Sequence, residues 1–472
     1  MTAGSAAPKH SEDRGGDALA FLGLADVASL IERRELSPVE LTQHILERIE
    51  RLDPTLQSYV VVTPDAALSA ATTAADEIAH GTYRGPLHGV PLAVKDLCYT
   101  AGVTTAAGTR VMRDFVPTFD ATVVQRLKAA GAVLTGKLRM TEGAFMDHHP
   151  ELPTPLNPWD PDTWVGSSSS GSGAATAAGL CYGAIGSDTG GSIRMPSSVN
   201  GLTGVKPTWG RVSRHGTVEL AASLDHIGPM ARSAADAAAM LTVLAGPDEA
   251  DPTALLDVVP DYVEELVDRT PLRIGVDRAF ATRFDDDTTA TVLSTLAVFE
   301  ELGYETVDVT LPDVTEVCAD WMATCAVETA AAHEWAYPQR REEYGPGLAA
   351  LLEFGRAQTA RDLARMAATR REFTGRMRRV FTEVDLVLVP SIGISSPTVQ
   401  RMAQAPDPDL VVPTAPFDMS GQPTVTFTSG FTSRGTPLAS QLVGDHLAES
   451  TVLRAAHAFQ SVTEHHLRHP RL

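Results

Sequence analysis

The apolar positions of this chain recur in short stretches of two kinds. In the first, Leu41, Ile45, Ile49 and Leu52 stand at near-helical spacing, which lays them along one face of a 3.6-residue repeat. Just before them, Ser37-Pro38-Val39-Glu40 offers a Ser N-cap, a Pro at the first helical position and a Glu that closes a capping box. Together these predict a helix over about residues 38–52, ended by Asp53-Pro54. The second kind is an unbroken apolar run bounded by Gly and Pro. His88-Gly-Val-Pro-Leu-Ala-Val-Lys95-Asp96-Leu97 reads as a buried strand that delivers Lys95 at or near its end. A helix over Thr122–Ala130 and a strand over Ala132–Thr135 follow. Further on, Leu272–Val276, a helix over about 288–302 and Glu305–Leu311 make a strand-helix-strand unit. Val384–Pro390 and Thr424–Phe427 read as strands and Glu449–Glu464 as a helix. Such alternation argues for βαβ units and a mainly parallel sheet.

Residues 166–204, GSSSSGSGAATAAGLCYGAIGSDTGGSIRMPSSVNGLTG, break the pattern. The Gly/Ser run at 166–173 has the composition of a flexible linker. It is followed at once, however, by a short helix over Ala174–Leu180, an apolar run Cys181–Ile185 and a second glycine cluster, so it sits between ordered elements. Around residues 247–270 the composition shifts to Pro and Asp, a candidate subdomain boundary.

At 472 residues the chain has the length of two or three domains or of one large α/β domain. With 43% hydrophobic and 21% charged residues it is globular, and disordered and fibrous classes drop out. The formal net charge of −21 would repel phosphate backbones and anionic lipid, so neither nucleic acid nor a membrane surface is an expected partner. Cys98, Cys181, Cys318 and Cys325 show no metal-ligand spacing and make no disulfide framework, which points to a reducing cytoplasm. Residues 1–20 mix charges with Gly and Ala, lack the apolar core of a signal peptide and read as a disordered tail. No run reaches 18 consecutive apolar residues.

Of the 38 basic residues only five are lysines. A lysine in an apolar strand is therefore conspicuous. The chain has no G-x-S-x-G, S-x-x-K, H-E-x-x-H or P-loop motif. What remains is Lys95, the serines at 167–170, and Ser192 at the end of Asp188-Thr189-Gly190-Gly191-Ser192. Two serines and a lysine suffice for a hydrolytic site without histidine. A serine hydroxyl needs a base to take its proton, and a buried lysine brought from about 10.4 to about 7–8 can be that base. Two glycines before Ser192 let the backbone turn tightly and aim N–H groups at a developing oxyanion.

At these residues the sequence resembles the amidase signature family. The resemblance runs through Pro86-Leu-His-Gly-Val-Pro-Leu-Ala-Val-Lys95-Asp96, the Gly/Ser stretch to Gly186-Ser-Asp-Thr-Gly-Gly-Ser192-Ile-Arg194-Met-Pro196, and Gly204-Val-Lys-Pro-Thr208. It continues through Ser223-Leu-Asp-His-Ile-Gly-Pro-Met-Ala-Arg232 and Gly435-Thr-Pro-Leu-Ala-Ser-Gln-Leu-Val-Gly444, and spans roughly residues 23–468. It implies one α/β domain over 21–472, with a mixed central β-sheet surrounded by α-helices and a variable subregion at about 247–380. It also implies a Ser-cisSer-Lys triad: Lys95 as base, Ser168 as bridging serine after a cis 167–168 peptide, and Ser192 as nucleophile. The N–H groups of Thr189, Gly190, Gly191 and Ser192 would form the oxyanion hole. Ser169 would support Lys95, and Asp188 would pair with Arg194 to fix the loop. No metal and no cofactor is implied.

The sequence departs from the family in two places. Gly166-Ser-Ser-Ser-Ser-Gly-Ser172 carries serines at two positions, 167 and 170, that are usually glycine. Where many relatives read N-M-x-E-F, this chain has Arg139-Met-Thr-Glu142-Gly143, so the loop 139–149 should shape a different pocket. Blander readings stand beside these: Lys95 could pair with Asp96, Lys206 supports a turn before Pro207, and His148-His149 belongs to a pocket rim or solvated loop rather than a metal site. The expected substrates are small amides, aliphatic or aryl, with esters and carbamates as extensions. The alternative is the glutaminase chain of an aminoacyl-tRNA amidotransferase. A homodimer is left open.

Overall fold

The computed structural model describes residues 18–404 and 407–472. The expected tail therefore lies, up to residue 17, outside the described residues, and Leu19–Phe21 form a short 3-10 turn with Ala20 buried. The strands are β1 (Tyr59–Val62), β2 (Pro91–Lys95), β3 (Val133–Leu138), β4 (Gly183–Asp188), β5 (Thr203–Lys206) and β6 (His226–Ala231). They continue with β7 (Arg273–Val276), β8 (Glu305–Asp308), β9 (Leu386–Pro390), β10 (Thr424–Phe431) and β11 (Pro437–Gly444). These form one sheet in the order β1-β3-β2-β4-β6-β5-β10-β11-β9-β7-β8.

The sheet is mixed. Pairing is parallel within β3-β2-β4 and within β9-β7-β8 and antiparallel elsewhere. The mainly parallel sheet suggested by alternation is thus confined to two flanks. At the centre, the β5–β6 and β10–β11 connections carry no crossover helix, and the chain returns antiparallel. Strands β2, β4, β5, β6, β9 and β11 are buried along their whole length. Packing on both faces explains why the sequence shows them as unbroken apolar or Gly-rich runs without alternation. The Pro- and Asp-rich stretch at 247–270 leads into β7 and β8, which join the same sheet through β9.

Two helices differ instructively from expectation. The first forms with its full capping box, but runs over Pro38–Leu56, through Pro54. Gln57 ends it in the left-handed region at φ 54° with its N–H on Asp53 O, and the Asp53 carboxylate takes the N–H groups of Ser58 and Tyr59. The residues that looked like a stop signal tie the helix to β1. The second begins at Ser170, not Ala174, so the serine-rich run is half helical. Ser169 stands at its N-cap without capping it; its hydroxyl is engaged elsewhere, as described below.

Because β2 and β4 are parallel neighbours, with Val94 opposite Ile185, their carboxyl ends open on the same edge of the sheet. Lys95 and the segment after Ile185 meet there, at the place where open α/β sheets bind ligands.

Candidate active site

Lys95 closes β2 with its side chain fully buried. Its Nζ donates to three hydroxyls: Ser168 Oγ at 2.6 Å, Ser187 Oγ at 2.8 Å and Ser169 Oγ at 2.9 Å. Three neutral acceptors solvate the ammonium far less well than water does. Burial lowers the Lys95 pKa to about 7, against a smaller opposing pull from Cys98, Asp188 and Asp225. The neighbouring Asp96 is not its partner, because that carboxylate faces Lys137 Nζ at 3.3 Å and accepts the Ala106 N–H. The structural pairing considered from sequence is therefore absent. The hydroxyl of Ser169, free of capping duty, also donates to Ser187 O at 3.2 Å.

The serine-rich loop and the glycine loop are joined directly. The Ser167–Ser168 peptide is cis, and the Ser169 N–H donates to Ser192 O at 3.3 Å. Ser192 is 9% exposed and lines a narrow pocket of about 20 Å³ with Ala144, Ser167, Gly190, Trp321 and Cys325. The carbonyls before it are each pinned. Asp188 O accepts from His226 Nδ1, Thr189 O from Trp321 Nε1 at 2.7 Å, Gly190 O from Thr414 Oγ1 at 2.7 Å, and Gly191 O from the Met195 N–H at 2.7 Å. In a planar trans peptide the N–H lies opposite the C=O, so each pinned oxygen orients the next N–H the other way. One of these is already committed: the Gly191 N–H donates to Asp188 Oδ1 at 2.6 Å. That leaves the N–H groups of Thr189, Gly190 and Ser192 for a ligand, whereas the sequence named all four.

The glycines are required sterically. A Cβ on Gly190 would lie 2.0 Å from Trp321 Cζ2, and Gly191, at φ +130°, would meet Met195 and Thr414.

Behind the loop, Arg194 forks onto Asp188, with Nε to Oδ2 at 2.9 Å and a second nitrogen to Oδ1 at 2.8 Å. It also reaches Asp418 Oδ2 at 2.5 Å, Thr414 O and Gln441 Oε1. Burial opposes the charge on Asp188, but Arg194, Lys206 and the Ile193 N–H hold its carboxyl well below the usual range. Asp418 shares the same arginine with Asp188, and burial leaves its carboxyl raised. Lys206 donates to Pro207 O and Gln422 O and to His226 Nε2. The two carbonyls at His226 Nδ1, Leu224 O and Asp188 O, fix its proton there and leave Nε2 to accept. Asp225 takes Thr189 Oγ1–H at 2.6 Å.

The two departures from the family motif meet in space. Ser170 Oγ, where glycine is usual, lies 2.9 Å from His148 Nε2, and Ser167 faces the Ser192 pocket. Burial and Arg139 lower the His148 pKa to about 4, and His149 Nδ1 accepts the Glu151 N–H. Among the described residues no group of three or more His, Cys, Asp or Glu gathers as a metal site, and no helix is long and apolar enough to cross a membrane. Sequence reasoning missed Ser187, Asp225, Trp321, Thr414 and Asp418. Ser187 adjoined a motif already singled out. Trp321, Thr414 and Asp418 come from more than 100 residues away and carry no spacing signature.

A depressed lysine on three hydroxyls, beside a serine on a pinned glycine loop at a sheet edge, defines a candidate serine–lysine hydrolase. The chain belongs to the Amidase family, whose model matches residues 40–453, and is accordingly a hydrolase of carbon–nitrogen bonds. It is 52% identical, over 99% of both chains, to a Mycobacterium tuberculosis protein named "Putative amidase AmiD". It is 37% identical to the glutaminase chain of the Chloroflexus aurantiacus glutamyl-tRNA(Gln) amidotransferase, over 93% of this chain and 96% of that one. The solved peptide amidase of Stenotrophomonas maltophilia superposes with a TM-score of 0.84 at 29% identity, covering 95% of this chain and 98% of its own.

Proposed function

We propose that this chain is an amidase that cleaves linear or aryl amides through an acyl-enzyme on Ser192, with esters and carbamates open to the same attack. The observation that carries this reading is Lys95, fully buried, 2.6 Å from Ser168 Oγ and poised at about 7. Neutral Lys95 takes the Ser168 proton as Ser168 takes that of Ser192, and Ser192 Oγ bonds to the carbonyl carbon. The oxyanion is held by the N–H groups of Thr189, Gly190 and Ser192, while Gly191 braces the loop on Asp188. Ser168 returns a proton to the departing amine as the C–N bond breaks, and water releases the acid by the same relay.

The 37%-identical amidotransferase chain supports the second reading, a glutaminase that works within a heteromeric complex. The 52%-identical relative named as an amidase favours an enzyme acting alone. The deciding experiment maps the adduct of a fluorophosphonate by mass spectrometry on the wild type and on Lys95→Ala, beside an amide, ester, carbamate and glutamine panel. A single adduct on Ser192, much slower in Lys95→Ala, with amide turnover by the isolated chain, is expected. Labelling elsewhere overturns the nucleophile, and turnover of glutamine alone, dependent on added partners, turns the assignment to the amidotransferase.

A further inference from the structure

The Ser192 pocket has room for little more than the reacting group, so the bulk of any larger substrate must lie elsewhere. A second cavity, of about 630 Å³, opens beside it, walled by Tyr99, Met112, Phe115, Val218 and Trp335, with His333 among its lining residues. The two hollows share three walls. Glu219 faces the cavity and Leu220 the Ser192 pocket. The Thr315–Ala332 helix sends Trp321 and Cys325 to the pocket and ends at His333. Ala144 lines the pocket, and its neighbour Gly143 lies against His333, for a Cβ there would sit 3.5 Å from His333 Nε2. Gly143 stands where many relatives of this family carry an aromatic residue, so the junction is bare backbone.

His333 is 3% exposed, and its Nε2 has no hydrogen-bond partner. Its other nitrogen lies 3.1 Å from the Tyr344 hydroxyl. A phenol is the better donor and imidazole nitrogen the better acceptor, which leaves the proton on Nε2, an unanswered donor between the cavity and the pocket. A buried donor without an acceptor is costly, and a ligand oxygen would relieve it.

We propose that this cavity receives the distal, aromatic part of an amide whose carbonyl sits at Ser192, and that His333 Nε2–H selects substrates bearing a hydrogen-bond acceptor on that part. This rests on the function proposed above. The test compares kcat/KM for 4′-methoxyacetanilide and 4′-ethylacetanilide, similar in shape but differing by one acceptor, and for the matching 4-substituted benzamides, with acetamide as the small reference. In the wild type the methoxy compound of at least one pair is favoured about fivefold, the worth of one hydrogen bond. His333→Phe brings that ratio to about one, and His333→Gln, which keeps a donor, retains part of it. Trp335→Ala raises KM for both members of the pair and alters kcat less. A wild-type ratio near one in both pairs, or a ratio unmoved in His333→Phe, overturns the selection by His333. Unchanged aryl-amide kinetics in Trp335→Ala overturn the cavity's role. If the wild type turns over no amide, acetamide included, the proposed function itself falls and this inference with it.

Discussion

Lys95 Nζ and Ser168 Oγ lie 2.6 Å apart with no water-exposed surface on either side chain. A contact this short between a base and a hydroxyl, sealed from solvent, is suited to moving a proton rather than storing charge. Ser192→Ala and Lys95→Ala should therefore each lower kcat/KM by about 10²–10⁴ or more. The Lys95→Ala loss should shrink at high pH, where hydroxide replaces part of the base. Lys95→Arg should not recover activity, because a guanidinium does not deprotonate in a protein. Steady-state amide hydrolysis over a pH series checks all three, and wild-type rates in Ser192→Ala would remove the nucleophile from the scheme.

With Lys95 lowered to about 7 by burial, the base is neutral above that pH and charged below it. Activity should rise with pH across this value. Ser187 contributes the third hydroxyl, at 2.8 Å, and stabilises the ammonium more than the amine. Ser187→Ala should shift the acid limb of the kcat/KM profile down by about one unit, with the plateau rate retained to a larger extent than in Ser168→Ala. A limb that stays in place would mean that Ser187 does not tune the lysine.

Much of this site was legible because its chemistry is local in sequence. Lys95 was marked by lysine scarcity and an apolar strand, and Ser192 by the two glycines before it. The helix at 38 was marked by its capping box, since caps and periodicity act over a few residues. What was not legible arrives across the fold. Trp321, Thr414 and His226 pin three successive carbonyls of the loop, and nothing in their own neighbourhoods announces it. The antiparallel centre was hidden for a related reason: fully buried strands lose the alternation that would have distinguished them. The Ser170 helix start was masked because Ser169 spends its hydroxyl on Lys95 and Ser187 instead of on a cap.

Gly190 and Trp321 are fitted to each other, and the fit makes a prediction. A methyl on Gly190 would enter the indole, whose Nε1 holds Thr189 O. Gly190→Ala should displace the indole or the loop and lower kcat by about 10² or more, the scale for losing one oxyanion donor. Circular dichroism should show the fold intact. Trp321→Phe, which drops only the hydrogen bond and some bulk, should cost less. Equal losses in the two variants would argue that the loop is not held by this contact.

Burying Lys95 for catalysis has a stability consequence whose sign follows from its shift. The folded state holds this lysine at about 7, whereas the unfolded chain holds it near 10.4. Between those values the unfolded chain binds more protons, so the free energy of unfolding rises with pH, by up to about 1.4 kcal/mol per unit. Below about 7 both states are protonated and the full cost of the buried ammonium is felt. Lys206, also buried and lowered to about 7, contributes in the same direction and remains in a Lys95 variant, so the informative quantity is a difference. Lys95→Met fills similar space without charge. It should unfold at higher denaturant than the wild type at pH 7, by about 1–4 kcal/mol, and the gap should narrow by about 2 kcal/mol at pH 9. Denaturant titrations of both proteins at the two pH values measure it. A gap that is absent at pH 7, or that widens at pH 9, would mean that the folded protein keeps Lys95 charged and well solvated, and would deny it the role of base at neutral pH.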